Sequence, residues 1–373
     1  GLVALSGWVR DVLNPIVVGI TGSTGKTSVK DLLAAIVRTK MPVVASEKSF
    51  NNELGLPLTL LKTRSDTRVV VAEMGARGRG QIARLCELAR PHVGVVTNVG
   101  VTHYEMFGSR AAIAHAKGEL VEAVPEGGAV VLNADDPLVA KMASRRGDLV
   151  DVLTFGLSGG AWLKAEQVNI DRLGRPTFQL VRGSQRGVWV TMSASGAHQV
   201  MNALAASTAA LALGLTLEDC RIGLESAEIS PWRMQVAEVG DSVIVNDAYN
   251  ASPASVTSAL QTCAAMVREG GKLVAVLGYM AELGSLTETE HLRIGALTAS
   301  LAGRLVVVGN QASSISAGAR QAGMADVVEV PDAAAAASAV GKLGKGDVLL
   351  IKGSRVAALE QVSDMVREGM AGA

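Results

Sequence analysis

Aromatic residues are scarce: Phe, Trp and Tyr make up 3% of the 373 residues, although 49% are hydrophobic. The core must then be Ala, Val and Leu packed closely, which suits an α/β protein with a buried parallel sheet. Net charge is also missing, since 35 basic side chains balance 35 acidic ones. Without a global basic field, nothing drives nucleic-acid binding. No uninterrupted apolar run reaches the ~18 residues of a membrane span. The opening GLVALSGWVRDVLNP has no basic leader. Its Leu2, Leu5, Val9, Val12 and Leu13 recur at the spacing of an amphipathic helix instead. Cysteine is rare and odd in number. Cys86, Cys220 and Cys263 lie far apart, so they read as small buried residues of a reducing compartment and not as disulfides or a zinc site.

What the chain does have is alternation. Apolar β-branched runs at 16–20, 68–75, 93–100 and 128–137 each precede a helical pattern, near 27–39, 79–89, 110–124 and 136–145. Such pairs predict parallel strands with crossover helices. Residues 150–193 change character and read as antiparallel hairpins in a side sheet. A small-residue helix follows over 197–214, and the strand–helix alternation restarts after about 240. The length allows two domains of ~100–200 residues each. The expected fold is α/β: a P-loop ATPase-like domain with a mostly parallel sheet over 1–236, its first fifteen residues a linking helix, and a Rossmann-like α/β domain over 237–373.

Between the first strand and the first helix of that alternation lies TGSTGKTS, residues 21–28. A loop of small residues at a helix start turns backbone N–H groups toward one point, where the helix dipole adds positive charge. Gly22, Ser23, Thr24, Gly25 and Ser28 would cradle phosphates, Lys26 would lie along the outer phosphate oxygens, and the Thr27 hydroxyl would ligate Mg²⁺. The strict G-x-x-x-x-G-K spacing fails, because position 20 is Ile. Glu73, Asn98 and His103 follow the next strands and would share the mouth with Lys26, since ligands of open α/β sheets bind at strand carboxyl ends. A carboxylate and an imidazole there can hold a second Mg²⁺ or position substrate.

TGSTGKTS, FNNELGLPLTLL, AEMGARGRGQIARL, VVTNVGVTHYEMFGS, AKGELVEA, NADDP, NDAYNASPASV, VLGYMAELG and IKGSR occur in this order along the chain. Together they resemble the Mur ligase family, over residue 16 to the C-terminus and least over 145–195. FNNELGLP and DAYNASP point to the branch that adds D-Ala-D-Ala to a UDP-muramoyl tripeptide. The resemblance implies a cytoplasmic, bacterial, monomeric ligase of peptidoglycan precursor synthesis. ATP would phosphorylate the tripeptide carboxylate, the dipeptide amine would attack the acyl phosphate, and two Mg²⁺ ions would assist. By matched position, Glu73 and His103 become metal ligands, and Lys117 becomes the lysine carbamylated by CO₂ in many members. Asn202 becomes a contact near the adenine, Arg233 the arginine reaching the γ-phosphate, and Asp247 the ribose and hinge contact. Asn51 and Asn52 fall near the muramoyl substrate, and Tyr249, Asn250, Lys352 and Ser354 where the dipeptide is expected. Its partners would be small molecules only, with no nucleic acid and no membrane span.

Three positions depart from the family pattern: Thr24, where Asn is commoner; Ala197, where Arg is frequent; and Tyr279, where an acidic residue is usual. The family also carries an N-terminal domain that holds the UDP end of the substrate. Eighteen residues precede Gly19 here, so that domain is expected to be missing and affinity for the UDP-substrate to be low. Two alternatives stay open: another Mur-type amino acid ligase, of cyanophycin or folylpolyglutamate type, and a non-catalytic nucleotide-binding paralogue. A GTPase or P-loop motor has no guanine-specificity motif to support it.

Overall fold

The computed structural model describes residues 1–47 and 50–371. The first unit runs α1 (Leu2–Leu13), β1 (Ile16–Thr21), α2 (Lys26–Arg38), β2 (Val43–Ala45), α3 (Gly55–Leu60), β3 (Val69–Glu73), α4 (Gln81–Ala89) and β4 (Val93–Val96). It continues through α5 (Tyr104–Phe107), α6 (Arg110–Ala123), β5 (Ala129–Asn133), α7 (Pro137–Ala140), β6 (Asp151–Gly156), β7 (Leu163–Ile170), β8 (Pro176–Arg182), β9 (Val188–Thr191), α8 (His198–Ala212) and α9 (Leu217–Glu225). The second unit holds β10 (Gln235–Val239), β11 (Ser242–Asn246), α10 (Pro253–Met266), β12 (Leu273–Gly278), α11 (Thr287–Leu301) and β13 (Arg304–Val308). It ends with α12 (Ser313–Gln321), β14 (Val327–Val330), α13 (Ala333–Val340), β15 (Val348–Lys352) and α14 (Val362–Ala371).

The first sheet has nine strands in the order β2-β3-β1-β4-β5-β6-β7-β8-β9. Strands β2 to β6 pair in parallel, and β3, β4 and β5 are buried along their whole length. Burial on both faces is why these strands read as unbroken apolar runs. The region 150–193 corrects one expectation. It forms no separate side sheet: β6 pairs in parallel with β5, β7 with β6, and only β7-β8-β9 are antiparallel. One continuous ladder satisfies the free edge of β5, which a detached sheet would leave unpaired.

Helix α2 buries Val29, Leu32, Leu33, Ile36 and Val37 against the sheet and α8. Each fully buried aliphatic side chain contributes about 1.5–3 kcal/mol, so the first turn of α2 is held rigidly at the end of β1. Helix α1 reverses its expected face. Ser6 and Arg10 are buried, whereas Leu2, Leu5 and Val12 are exposed. Arg10 turns inward because Nη1 reaches the carbonyls of Glu87 and Leu88, which end α4 without intrahelical donors.

The second sheet orders β10-β11-β15-β12-β13-β14, parallel except for β10. A division at 236/237 falls inside β10, whose pairing from Gln235 to Val239 with β11 ties that whole strand to the second sheet. Helix α10 starts with a capping box of Ser252 and Ser255, with Pro253 in its first turn, and so begins directly after the loop that carries Asp247 to Ala251.

Candidate active site

The carboxyl ends of β1, β3, β4 and β5 meet those of β11 and β15 around one cavity of about 760 Å³. The loop after β1 forms its floor. Gly22 has φ +152°, and a Cβ there would come 1.8 Å from Thr97 Oγ1, so only glycine fits. Asn98 wraps Thr24: its Oδ1 accepts from Thr24 N at 3.0 Å and from Thr24 Oγ1 at 3.2 Å, while Nδ2 donates to Thr24 O at 3.1 Å. Thr24 therefore suits this loop, because its hydroxyl adds a bond to the same acceptor. Ser23 N donates to the Asn98 carbonyl at 3.0 Å. Two of the expected phosphate-binding amides are thus spent inside the loop. Those left over belong to Gly25, Lys26, Thr27 and Ser28, since α2 starts on Gly25 at φ +83° with no side-chain cap. Four free N–H groups and the dipole of α2 point at the cavity.

The side chains on this floor interlock. Thr27 Oγ1 donates to Glu73 Oε2 at 2.7 Å, and Asn51 Nδ2 donates to Glu73 Oε1 at 2.8 Å. Lys26 Nζ rests on the carbonyls of Gly22 at 2.8 Å and Ser23 at 3.4 Å. Burial, with Arg233 adding to it and Glu73 opposing it, pulls the Lys26 ammonium below its ordinary range. Lys117 on α6 is also buried, and no hydrogen bond or ion pair holds its amine among the described residues. Burial, then the nearby Lys26 charge, drives it well below the ordinary lysine range. His103, at φ +60°, places Nδ1 against the Glu282 carboxylate. Burial lowers its pKa, Glu282 opposes that, and Lys26 and Lys117 reinforce it.

The opposite wall comes from the crossing between units. Arg233 Nη2 donates to Thr27 Oγ1 at 2.9 Å, and its guanidinium lies 3.9 Å from the centroid of the Tyr249 ring. Lys352 Nζ donates to Asp247 Oδ2 at 2.5 Å and to the Asn250 carbonyl at 3.0 Å. Asp247 Oδ1 accepts from Met234 N at 3.1 Å, and Tyr249 N donates to Trp232 O at 3.2 Å. The two ends of the β10–β11 hairpin are thereby stitched together beside the cavity. Asn202 stands over the start of α2, its Oδ1 2.5 Å from where a Cβ on Gly25 would lie.

Most residues singled out from the sequence therefore share this cavity, from the loop residues to Asn52, Asn250 and Lys352. Asn52 lies on its edge with its side chain accepting from Leu54 N and Gly55 N. Ser354 does not line this cavity. It is buried away from the cavity, where its Oγ accepts from Ala281 N at 2.8 Å and its N–H donates to the Tyr279 carbonyl at 3.0 Å. It joins the loops after β12 and β15. Tyr279 is turned from the cavity as well and stacks on His291 at 5.1 Å between ring centroids. The acidic group at this strand end is Glu282. Sequence reasoning also missed His198, which lines the cavity and pairs Nδ1 with Ser258 Oγ of α10 at 3.2 Å. Gly196 (φ +112°) makes room for that ring, as a Cβ there would meet it at 2.4 Å. Burial lowers the pKa of His198, with Asp247 opposing and Lys352 reinforcing.

The family model of the Mur ligase middle domain matches residues 20–210, and that of the Mur ligase glutamate ligase domain matches residues 232–355. The chain belongs to the Mur ligase family. It is 44% identical over 371 residues to the UDP-N-acetylmuramoyl-tripeptide–D-alanyl-D-alanine ligase of Mycobacterium tuberculosis, a match spanning 93% of this chain and 72% of that one. A MurF ligase from Thermotoga maritima in complex with ADP superposes with a TM-score of 0.88 at 28% identity, over 100% of this chain and 84% of that one. MurF from Acinetobacter baumannii gives 0.88 at 29% identity, over 98% and 80%. Within the Mur ligase frame, the cavity lies where the two matched domains meet. Among the described residues no helix is long and apolar enough to cross a membrane.

Proposed function

We propose that this chain is an ATP-dependent amide ligase that adds D-Ala-D-Ala to a UDP-N-acetylmuramoyl tripeptide in peptidoglycan precursor synthesis. The observation that carries this reading is the single cavity in which Lys26, Thr27, Glu73, His103 and Lys117 face Arg233, Asp247 and Lys352 across a junction of two units. The names of the relatives support the same substrates. We further assign the two units as domains meeting between 226 and 234, and the protein as a monomer of the bacterial cytoplasm.

The phosphates of ATP enter along the free amides of Gly25 to Ser28. Lys26 turns from the Gly22 carbonyl to the outer phosphate oxygens, and Arg233 meets the γ-phosphate from the opposite wall. Asn202 and Asp247 stand where base and ribose lie. The tripeptide carboxylate attacks the γ-phosphorus; an O–P bond forms, the bond to the bridging oxygen breaks, and ADP leaves. The neutral amine of the dipeptide attacks the acyl carbon, giving a tetrahedral adduct. That adduct loses phosphate with the C–O electron pair and a proton from nitrogen. Docking of the second unit excludes water, which would otherwise hydrolyse the acyl phosphate.

Thr27 and Glu73 offer hard oxygen donors that fit one Mg²⁺, and His103 with a carboxylated Lys117 fits a second. Among the described residues no three or more His, Cys, Asp or Glu side chains are placed together to hold a metal ion. So sparse a donor set suits Mg²⁺, which takes its other ligands from phosphate and water. A metal held there would supply charge neutralisation of the transferring phosphoryl group. Lys117 fits carbamylation because burial and Lys26 favour its neutral amine. That amine adds to the carbon of CO₂ and gives a proton to solvent, and the resulting anion answers the charge of Lys26.

The test is phosphate release from ATP with D-Ala-D-Ala and the UDP-muramoyl tripeptide, beside Lys26→Ala. Turnover that requires both substrates and is lost in the variant is expected. Phosphate release that ignores the dipeptide would sink the reading.

A further inference from the structure

Glu282 stands between the two units, in the loop after β12, and the phosphate-binding machinery above gives it no task. Its carboxylate is divided. Oε1 pairs with the Arg77 guanidinium, Nη2 lying 3.2 Å away, and Oε2 lies against His103 Nδ1, a buried nitrogen with no other partner among the described residues. Arg77 belongs to the loop after β3 and His103 to the loop after β4, so one carboxylate of the second unit holds two loops of the first. The main chain joins in: Glu105 N donates to the Glu282 carbonyl at 3.2 Å. Gly284 backs onto Glu105, and a Cβ there would come 3.0 Å from the Glu105 Cα. His103 and Glu282 hold φ values of +60° and +63°. Non-glycine residues adopt that conformation rarely, and it persists where surroundings over-determine it, commonly at functional sites. Arg77 and His103 both line the cavity that holds Lys26.

We propose that Glu282 is a positioning residue of the ligase site: it accepts the Nδ1–H of His103, fixes the tautomer and plane of that imidazole, and leaves Nε2 as the free lone pair only while the two units are docked. The proposal rests on the ligase reading above. An imidazole whose Nδ1–H is held by a carboxylate is a better aimed and more basic donor at its other nitrogen. Arg77 pairs with the second oxygen, so the carboxylate has a cation on one side and the ring on the other. Arrival of the second unit and readiness of His103 then become one event, which couples delivery of the amine to completion of the phosphate site.

The test has two arms. The first is the ¹⁵N spectrum of the five histidines in the substrate-free protein, with His103 assigned through His103→Gln. The Nδ1-protonated form is expected in the wild type. It should persist in part in Glu282→Gln, whose amide oxygen still accepts, and give way to mixed tautomers in Glu282→Ala. The second arm is kinetic: Glu282→Ala should lower kcat about 10–100-fold, leave KM for ATP nearly unchanged, and regain part of the rate at raised Mg²⁺. A contact that only adds stability would move neither tautomer nor kcat. An Nε2-protonated His103 in the wild type, a tautomer indifferent to Glu282→Ala, or wild-type kcat in that variant overturns the proposal. If the wild type shows no ligase turnover, the ligase reading falls and the spectra still decide the role of Glu282.

Discussion

Arg233 and Thr27 are 206 residues apart in sequence, yet the guanidinium of one donates to the hydroxyl of the other at 2.9 Å. The same hydroxyl donates to Glu73, and the same guanidinium lies over the ring of Tyr249. One threonine oxygen thus links the phosphate loop, the carboxylate that ends β3 and the segment that enters the second unit. A lysine at 233 would keep the charge and lose the planar fork and the ring contact. Arg233→Lys is therefore expected to lower kcat by about 10²-fold, with a smaller effect on ADP affinity. Steady-state rates beside an ADP titration measure both, and an unchanged kcat would remove Arg233 from the γ-phosphate.

Lys117 makes a prediction with a definite sign. Its folded pKa lies well below the ordinary lysine value of 10.5. Between those two values the unfolded chain binds more protons than the native one, so stability rises with pH across that window. Lys117→Met should raise Tm at pH 7 in CO₂-free buffer, and the gain should shrink as pH approaches 10.5. Calorimetry at several pH values shows the trend. With ¹³C-bicarbonate, the wild type should give a carbamate signal that Lys117→Met lacks.

Gly22→Ala places a methyl 1.8 Å from Thr97 Oγ1 at a backbone angle that L-residues rarely adopt. Overpacking of this kind costs about 1–3 kcal/mol. Because the residue opens the phosphate loop, nucleotide affinity should fall with stability. Urea denaturation and ADP binding measure the two; Gly25→Ala, at φ +83° and 2.5 Å from the buried Asn202 Oδ1, should lose both as well.

The pair of Lys352 and Asp247 is buried, with 2% and 13% of their side chains exposed. Removing one partner leaves the other charged without company. Lys352→Met should destabilise the protein by about 3–5 kcal/mol, whereas joint replacement of both by apolar residues should recover most of that. Chemical denaturation of the two single variants and the double variant closes the cycle. Equal losses in the single and double variants would show that Asp247 finds another partner.

The phosphate loop was legible because its chemistry is local: a strand, small residues and a helix within a dozen positions dictate free amides and one lysine. The parallel strands were legible for the same reason, as burial on both faces leaves an unbroken apolar run. Lys117 carried no such signal, since a helix lysine looks solvated until the fold covers it, and only the family resemblance marked it. Glu282 was missed because its partners Arg77 and His103 lie far upstream, and no local pattern records a contact between loops of different sheets. The face of α1 was misread because its apolar spacing is real; what turns Arg10 inward is the end of α4, a demand written elsewhere in the chain. At 150–193 the alternation of hairpins was visible, but not the edge of β5 that recruits them into the main ladder.

The stitch between Met234 and Asp247, repeated between Trp232 and Tyr249, makes the root of the β10–β11 hairpin a fulcrum set beside the nucleotide. Turning the second sheet about that point displaces nearby groups little and distant ones much. Arg233 and Tyr249 sit beside that point, next in sequence to the stitched residues or part of them, whereas Glu282 reaches His103 and Arg77 from the loop after β12. Any rotation of the second sheet about this root would therefore strain the Glu282 contacts before it strained the hold of Arg233 on Thr27.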